Sequence, residues 1–457
     1  MTSALDFLGQ LPGTLYTQLC LCYGVEDSIP YPRLLKTIKD GLQRLAAAFP
    51  WVTGELITEP AGNGRSGIRK IRYSGKIPFT VKDLRNNSDM PTMNELRRTN
   101  FPFRSLDENL IAPCDSVAYS ESTSDSESNA EPVFLVQANI IIGGLVLTCV
   151  AHHSVMDMTA QGEVVRLLSK ACHGIPFSSE ELENDDLLKR TPIPMLQELE
   201  EPETELAPQL REPSESHYLC SGTKFNPTLP STAKCSWKYF LFSQAALDDI
   251  KMLASSALSN TGKFVSTDDS LTAFISQAVV RARMHRLEPT EDISICRFVN
   301  VRSILNIPRT HPGFLINATY TTQAAGKMAT ELLGHVALQF RSALEPSDLE
   351  HRTRALATYL HKNEDKSAFS FGAKIDRSKG LMLSSWAKCK IYGLDFNLGL
   401  GTPEAVRRAQ DQPFEGFGYL MPKAPNGEIA LAICLRDEDM QHLKTDAKFM
   451  KYAKYVD

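Results

Sequence analysis

The ten cysteines of this chain include no Cys-x-x-Cys pair; Cys20 and Cys22, the closest two, share a strand face without being paired by that fact. The cysteines are otherwise scattered, and buried free thiols in a reducing compartment are expected. No Gly-x-Ser-x-Gly elbow occurs, which disfavours a serine hydrolase. No excess of basic residues occurs either. The formal net charge is -5, and no basic stripe with interleaved aromatics is present, which argues against a dedicated nucleic-acid binder. The first thirteen residues have no positively charged start and no continuous apolar core, so no signal peptide is expected. The one apolar run long enough to suggest a membrane span, residues 133–151, contains Gln137, Asn139 and the pair Gly143-Gly144. A Gly-Gly between β-branched runs reads as a hairpin turn. Two buried strands and a cytoplasmic protein are expected.

What is present fits a globular chain. Hydrophobic residues make up 42% and charged residues 23%. At 457 residues, two domains are expected. Residues 16–23 alternate as a strand. Leu34, Leu35, Ile38, Leu42, Leu45 and Ala46 predict a helix over 31–48. Residues 51–57 and 67–73 read as further strands. Residues 115–132 are rich in serine and acid and predict a mobile surface loop. After an amphipathic segment at 158–172 the chain turns acidic and proline-rich. The expected division is 1–180 for a first domain, 181–230 for a crossover linker and 231–457 for a second domain. The second half opens with a strand over 234–242 and a helix capped at Ser243. Leu271, Phe274, Ile275, Ala278, Val279 and Ala282 predict a helix whose cap lies among residues 266–269. Strands follow at 293–301 and 381–386, and a hairpin at 419–435 turns around Pro425-Asn426-Gly427. Strands and helices mix without strict alternation, which predicts an α/β fold of mixed α+β layers.

The stretch His152-His153-Ser-Val-Met-Asp157 lies where the apolar run ends and the amphipathic segment begins. A histidine held at a strand exit can accept a proton near neutral pH and activate an alcohol. The competing reading is a core histidine satisfied by backbone. His152 is expected to be structural. Asp157 could orient His153 as in a triad, or cap the following helix and pair with an arginine from elsewhere; the second role is favoured. A zinc site from His152, His153 and Asp157 is disfavoured, because adjacent strand residues point apart and no further ligand cluster is evident. Asp395-Phe-Asn-Leu-Gly-Leu-Gly401 is not a phosphate loop: no third glycine and no Gly-Lys-Ser/Thr follow, and its glycines predict a tight turn. Lys263 is by default a solvated lysine, yet it closely precedes a helix N-terminus, where phosphate is attracted.

Together, His153-Ser-Val-Met-Asp157 and Asp395-Phe-Asn-Leu-Gly399 resemble the His-x-x-x-Asp and Asp-Phe-Gly-x-Gly signatures of the BAHD acyl-CoA-dependent acyltransferases. Residues 8–13, 166–172, 263–274, 356–361, 382–388 and 435–440 look most like the fungal trichothecene 3-O-acetyltransferase group. The resemblance runs over nearly the whole chain and is weakest in the crossover and the serine-rich loop. It implies two similar chloramphenicol-acetyltransferase-like domains with a solvent channel between them. Acetyl-CoA would be a co-substrate entering from one face, with no permanently bound cofactor and no metal. A small-molecule alcohol would enter from the other face, and the protein would be a monomer. By the same resemblance His153 is the general base. Asp157 forms a salt bridge, with Arg302 the candidate partner. Ser384, Ser385 and Trp386 line the centre of the channel and donate to an oxyanion. Lys263, Ser266 and Thr267 lie near the CoA phosphates, while Asp395 and Gly399 are structural. Asn397 replaces the family's first glycine; asparagine tolerates left-handed geometry, so the loop is expected to survive. His152-His153 also resembles the His-His-x-x-x-Asp-Gly of condensation domains, although Met158 stands in place of their glycine.

Overall fold

The computed structural model describes residues 2–11, 13, 15–26, 28–59, 67–117, 131–184, 193–197, 200–211, 233–259 and 261–457. Most of the expected surface loop, 118–130, lies outside these, as do 185–192, 198–199 and 212–230 of the crossover. Among the described residues strands form three sheets. The sheet that carries the histidine pair has the order Ala405–Arg407, Tyr16–Gly24, Gly144–His152, Phe134–Ile141, Phe79–Asp83. Its centre is the hairpin of Phe134–Ile141 and Gly144–His152, turned through Gly143 at φ 69°. Both hairpin strands are buried along their full length, so they read as one apolar run rather than an alternation. Their polar members bond mostly within the protein: Asn139 Nδ2 donates to the Ile111 and Val146 carbonyls, and Gln137 Nε2 to Asn139 Oδ1, while Gln137 Oε1 has no partner among the described residues. The helices Tyr31–Ala48 and Met158–Cys172 pack together against this sheet.

Beside it, Thr2–Ala4, Ile68–Tyr73, Gly54–Glu59 and Glu131–Pro132 make a four-stranded sheet. The strand predicted from Trp51 starts three residues later, because Pro50 opens a single 3-10 turn, Pro50–Thr53, before the chain extends. The second half builds a seven-stranded sheet in the order Ile316–Ala324, Asp292–Asn300, Leu381–Ser385, Phe417–Leu420, Ile429–Arg436, Cys235–Phe242, Lys454–Val456. The helix Thr267–Arg283 is buried on nearly every side against it.

The halves are joined by more than a linker. Ala405–Arg407 leaves the second half and adds an antiparallel edge to Tyr16–Gly24, so the first sheet draws on residues beyond the expected 1–180. Trp237, Tyr239 and Leu241 of the seven-stranded sheet share one core with the five-stranded sheet. All described cysteines are free thiols. No helix among the described residues is long and apolar enough to cross a membrane.

Candidate active site

The histidine pair is positioned by strand registry. Tyr16 is the register partner of His152, and one residue further the His153 N–H donates to the Leu15 carbonyl at 2.8 Å. The chain then reverses: the N–H groups of Val155 and Met156 both donate to the His152 carbonyl, and Asp157 begins the helix Met158–Cys172. His152 is fully buried, with Nε2 3.3 Å from Glu131 Oε2 and its ring edge-on to Tyr16. That is a packing role, as expected.

His153 is partly exposed. Its Nδ1 lies 3.2 Å from the Met156 carbonyl. A carbonyl can only accept, so the ring proton sits on Nδ1 and Nε2 keeps its lone pair. Phe314 fixes the ring from the side, edge-on at 5.2 Å. Desolvation pulls the His153 pKa below the usual histidine value; the Met156 carbonyl and the Asp157 charge oppose that shift without reversing it. The imidazole is therefore neutral near pH 7, the form a base requires.

Asp157 does not face the ring nitrogens. It is fully buried, and its Oδ1 accepts from the backbone N–H of Thr159 and Ala160, capping the helix. Its Oδ2 accepts from Arg302 Nη1 at 2.6 Å and from the Leu315 N–H at 2.9 Å. Arg302 completes its fork on the carbonyls of His311 and Gly313. This buried cluster ties the histidine turn of the first half to the loop at 311–315 of the second.

The far end of the same helix is tied as well. The Asp395 carbonyl accepts from Ser169 Oγ and His173 Nε2, and Asn397 Nδ2 donates to the Cys172 carbonyl. Asn397 takes φ 57° and Gly399 φ 75°, so asparagine does occupy left-handed geometry where the resemblance has glycine. A fifteen-residue helix is about 22 Å long, so Asp395 and Gly399 lie far from His153.

Ser384 and Ser385 end the strand Leu381–Ser385, an interior strand of the seven-stranded sheet, and Trp386 follows directly. Trp386 Nε1 donates to Ser384 Oγ at 3.1 Å, while the Ser385 hydroxyl donates to Asp268 Oδ1 at 2.8 Å. Two of the three expected donors are thus engaged within the protein. Ser384 accepts the indole bond and keeps its own hydroxyl hydrogen to offer. Ser266 caps the helix Thr267–Arg283 in a reciprocal box with Asp269, so its hydroxyl too is engaged. Lys263 is exposed at the mouth of that helix, and Thr267 is half-buried. Asp268 ion-pairs with Arg297 while accepting from Ser385, which links the Lys263 loop to the Ser384 strand end.

Sequence reasoning missed the Met156 carbonyl, Phe314, Leu315 and Gly313. The strand end at Asn300-Val-Arg302 pointed toward this region, and Gly313 at φ 117° marks the turn that presents it. Among the described residues no group of three or more His, Cys, Asp or Glu side chains is arranged to hold a metal ion.

Residues 15–172 match the family model described as trichothecene 3-O-acetyltransferase-like N-terminal domain. The chain is 43% identical to the O-acetyltransferase dmxR13 of Cryptosporiopsis sp. (strain 8999), covering 99% of this chain and 97% of that one. It is 41% identical to trichothecene 3-O-acetyltransferase TRI101 of Fusarium sporotrichioides, covering 99% and 96%. Its fold is similar to the crystal structure of F. graminearum TRI101 complexed with coenzyme A and deoxynivalenol, with a TM-score of 0.93, 40% identity and full coverage of both chains. With its histidine and aspartate held in this geometry and relatives of this identity along its whole length, the chain belongs to the trichothecene 3-O-acetyltransferase-like family of O-acyltransferases.

Proposed function

We propose that the protein transfers the acetyl group of acetyl-CoA to a hydroxyl of a fungal secondary metabolite, the 3-hydroxyl of a trichothecene being the best-supported acceptor. The observation that carries this reading is the His153 imidazole, neutral and oriented by a backbone carbonyl, with Nε2 available. It sits in a chain similar over its length to trichothecene 3-O-acetyltransferases. Acceptor and acetyl-CoA meet in a channel between the two lobes, near 1–180 and 231–457, from opposite faces. Lys263, with Thr267 and the helix N-terminus, attracts the CoA phosphates. The protein acts as a cytoplasmic monomer on these two small molecules.

His153 Nε2 takes the acceptor proton as the alcohol oxygen attacks the thioester carbonyl. The tetrahedral oxyanion accepts a hydrogen bond from Ser384, and its collapse expels the CoA thiolate, which takes the proton back from His153. General base catalysis contributes about 10²- to 10⁴-fold and one oxyanion donor about 10²- to 10³-fold. Holding both substrates in attack geometry supplies much of the remainder. Asp157 and Arg302 keep the histidine turn in place without joining the chemistry.

Thiol release from acetyl-CoA, followed with and without a trichothecene bearing a free 3-hydroxyl, tests this. Acceptor-dependent release that disappears in His153→Ala supports the reading. Calorimetric binding of acetyl-CoA without turnover would reassign the acceptor. Neither binding nor turnover would overturn the CoA donor in favour of a carrier-protein donor.

A further inference from the structure

Three arginines are among the largest fully buried side chains: Arg283, Arg302 and Arg408. Two of them spend the whole guanidinium fork inside the protein. Arg302 donates from Nε, Nη1 and Nη2, and so does Arg283. Arg408 does not. Its Nη2 donates to Asp411 Oδ2 at 2.6 Å and to Ser116 Oγ at 3.3 Å, but Nε and Nη1 have no hydrogen-bond partner among the described residues. The Tyr419 phenol lies close enough to interact with the guanidinium, yet it leaves Nε and Nη1 without a well-formed hydrogen bond. Asp411 Oδ1 is unpartnered too. Buried charged donors are costly to leave unpaired, so such a group calls for a partner outside the chain.

The position of Arg408 indicates which partner. It follows the strand Ala405–Arg407 that crosses between the halves. On one side, Ser116 accepts the Tyr16 N–H on its carbonyl, and the neighbouring Leu15 carbonyl accepts from His153. On the other side, the guanidinium carbon lies 4.6 Å from the centre of the Tyr419 ring, and that ring lies 4.7 Å from the ring of Trp386. Arg408 therefore stands between the His153 turn and the Ser384–Trp386 strand end, flanked by flat aromatic surface. Asp411 offsets its charge, and the buried Glu108 accepts from the Ser116 N–H beside it. The balance favours a neutral oxygen over a carboxylate or phosphate. The Lys263 loop, at the start of the helix Thr267–Arg283, is reached instead through Ser385 and Asp268.

We propose that Arg408 is a specificity-determining residue that donates from Nε and Nη1 to a ketone or ether oxygen on the ring skeleton of the acceptor alcohol. This rests on the acetyl-transfer reading. A skeleton with that oxygen docks with its hydroxyl at His153; one without it leaves the guanidinium unpaired and is discriminated against.

The test measures kcat and KM for a panel of trichothecene 3-alcohols that differ by one ring oxygen at a time, with the wild type, Arg408→Lys and Arg408→Met. Removal of one particular oxygen is expected to lower the wild-type kcat/KM about tenfold or more. The loss should appear mainly in the acceptor KM, shrink in Arg408→Lys and vanish in Arg408→Met. Should Arg408→Met not fold, Arg408→Lys and the wild-type panel decide the matter. The proposal is overturned if no single oxygen matters to the wild type, or if both variants keep the full wild-type discrimination. A change confined to the acetyl-CoA KM also overturns it. Absence of thiol release by the wild type with every acceptor would instead defeat the acetyl-transfer reading, and this inference with it.

Discussion

Asp157→Asn separates the two roles open to that carboxylate. The substitution keeps the shape, and asparagine remains a good helix cap, so Oδ1 still serves the N–H groups of Thr159 and Ala160. What disappears is the charge opposite Arg302, which is 2% exposed and bonded to Asp157 at 2.6 Å. Removing one partner of a buried ion pair costs about 3–5 kcal/mol, because the other charge stays buried. Urea unfolding should therefore show a loss of that size. Turnover by the folded fraction should stay within about tenfold of wild type, since the Met156 carbonyl, not Asp157, meets Nδ1 of His153. Adding Arg302→Met should recover part of the lost stability, giving a double-mutant cycle with strong coupling. A triad orienter behaves in the opposite way: turnover falls about 10⁴-fold while the fold is retained. Full stability with that loss of turnover in Asp157→Asn would refute the reasoning.

Other perturbations have equally definite outcomes. A Cβ on Gly9 would stand 2.8 Å from the Ser154 carbonyl oxygen, on the turn that carries His153. Gly9→Ala should lower kcat on the order of 10²-fold if the turn shifts by about 1 Å, with the acetyl-CoA KM little changed, as steady-state kinetics would show. His311 is buried beside Arg302, and desolvation holds its pKa at about 4. The unfolded chain binds that proton first, so stability falls as pH drops from about 6.5 to about 4, by about 3 kcal/mol, and levels off below. Unfolding as a function of pH should show that this component is missing from His311→Asn. Asn397→Val forces a β-branched residue to φ 57° and should cost about 1–2 kcal/mol, which Asn397→Gly should not; thermal melting distinguishes them.

The parts of the fold legible in sequence were those encoded locally. The hairpin of Phe134–Ile141 and Gly144–His152 announced itself through its glycine pair and unbroken apolar run. The helix Met158–Cys172 did so through its period and the aspartate before it. Ala405–Arg407 gave no signal, because three residues have no period and their pairing with Cys20–Cys22 is set by tertiary registry. The strand Ile316–Ala324 escaped for a related reason: its polar Thr321, Thr322 and Gln323 conceal its pairing with Asp292–Asn300. At the site, residue types suggested a histidine at a strand exit and an aspartate–arginine pair. They could not indicate that a backbone carbonyl meets Nδ1, that Phe314 braces the ring, or that Ser266 and Ser385 spend their hydroxyls inside the protein. Arg408 gave no signal in the sequence, since burial is a property of the fold and not of the residue.

The central claim is that His153 is the base. Its most direct test is kcat/KM of His153→Ala against wild type, with acetyl-CoA and a 3-hydroxyl trichothecene at neutral pH. A fall of about 10²- to 10⁴-fold or more in a protein with unchanged acetyl-CoA affinity is expected. Retention of more than about a tenth of the wild-type rate would contradict it.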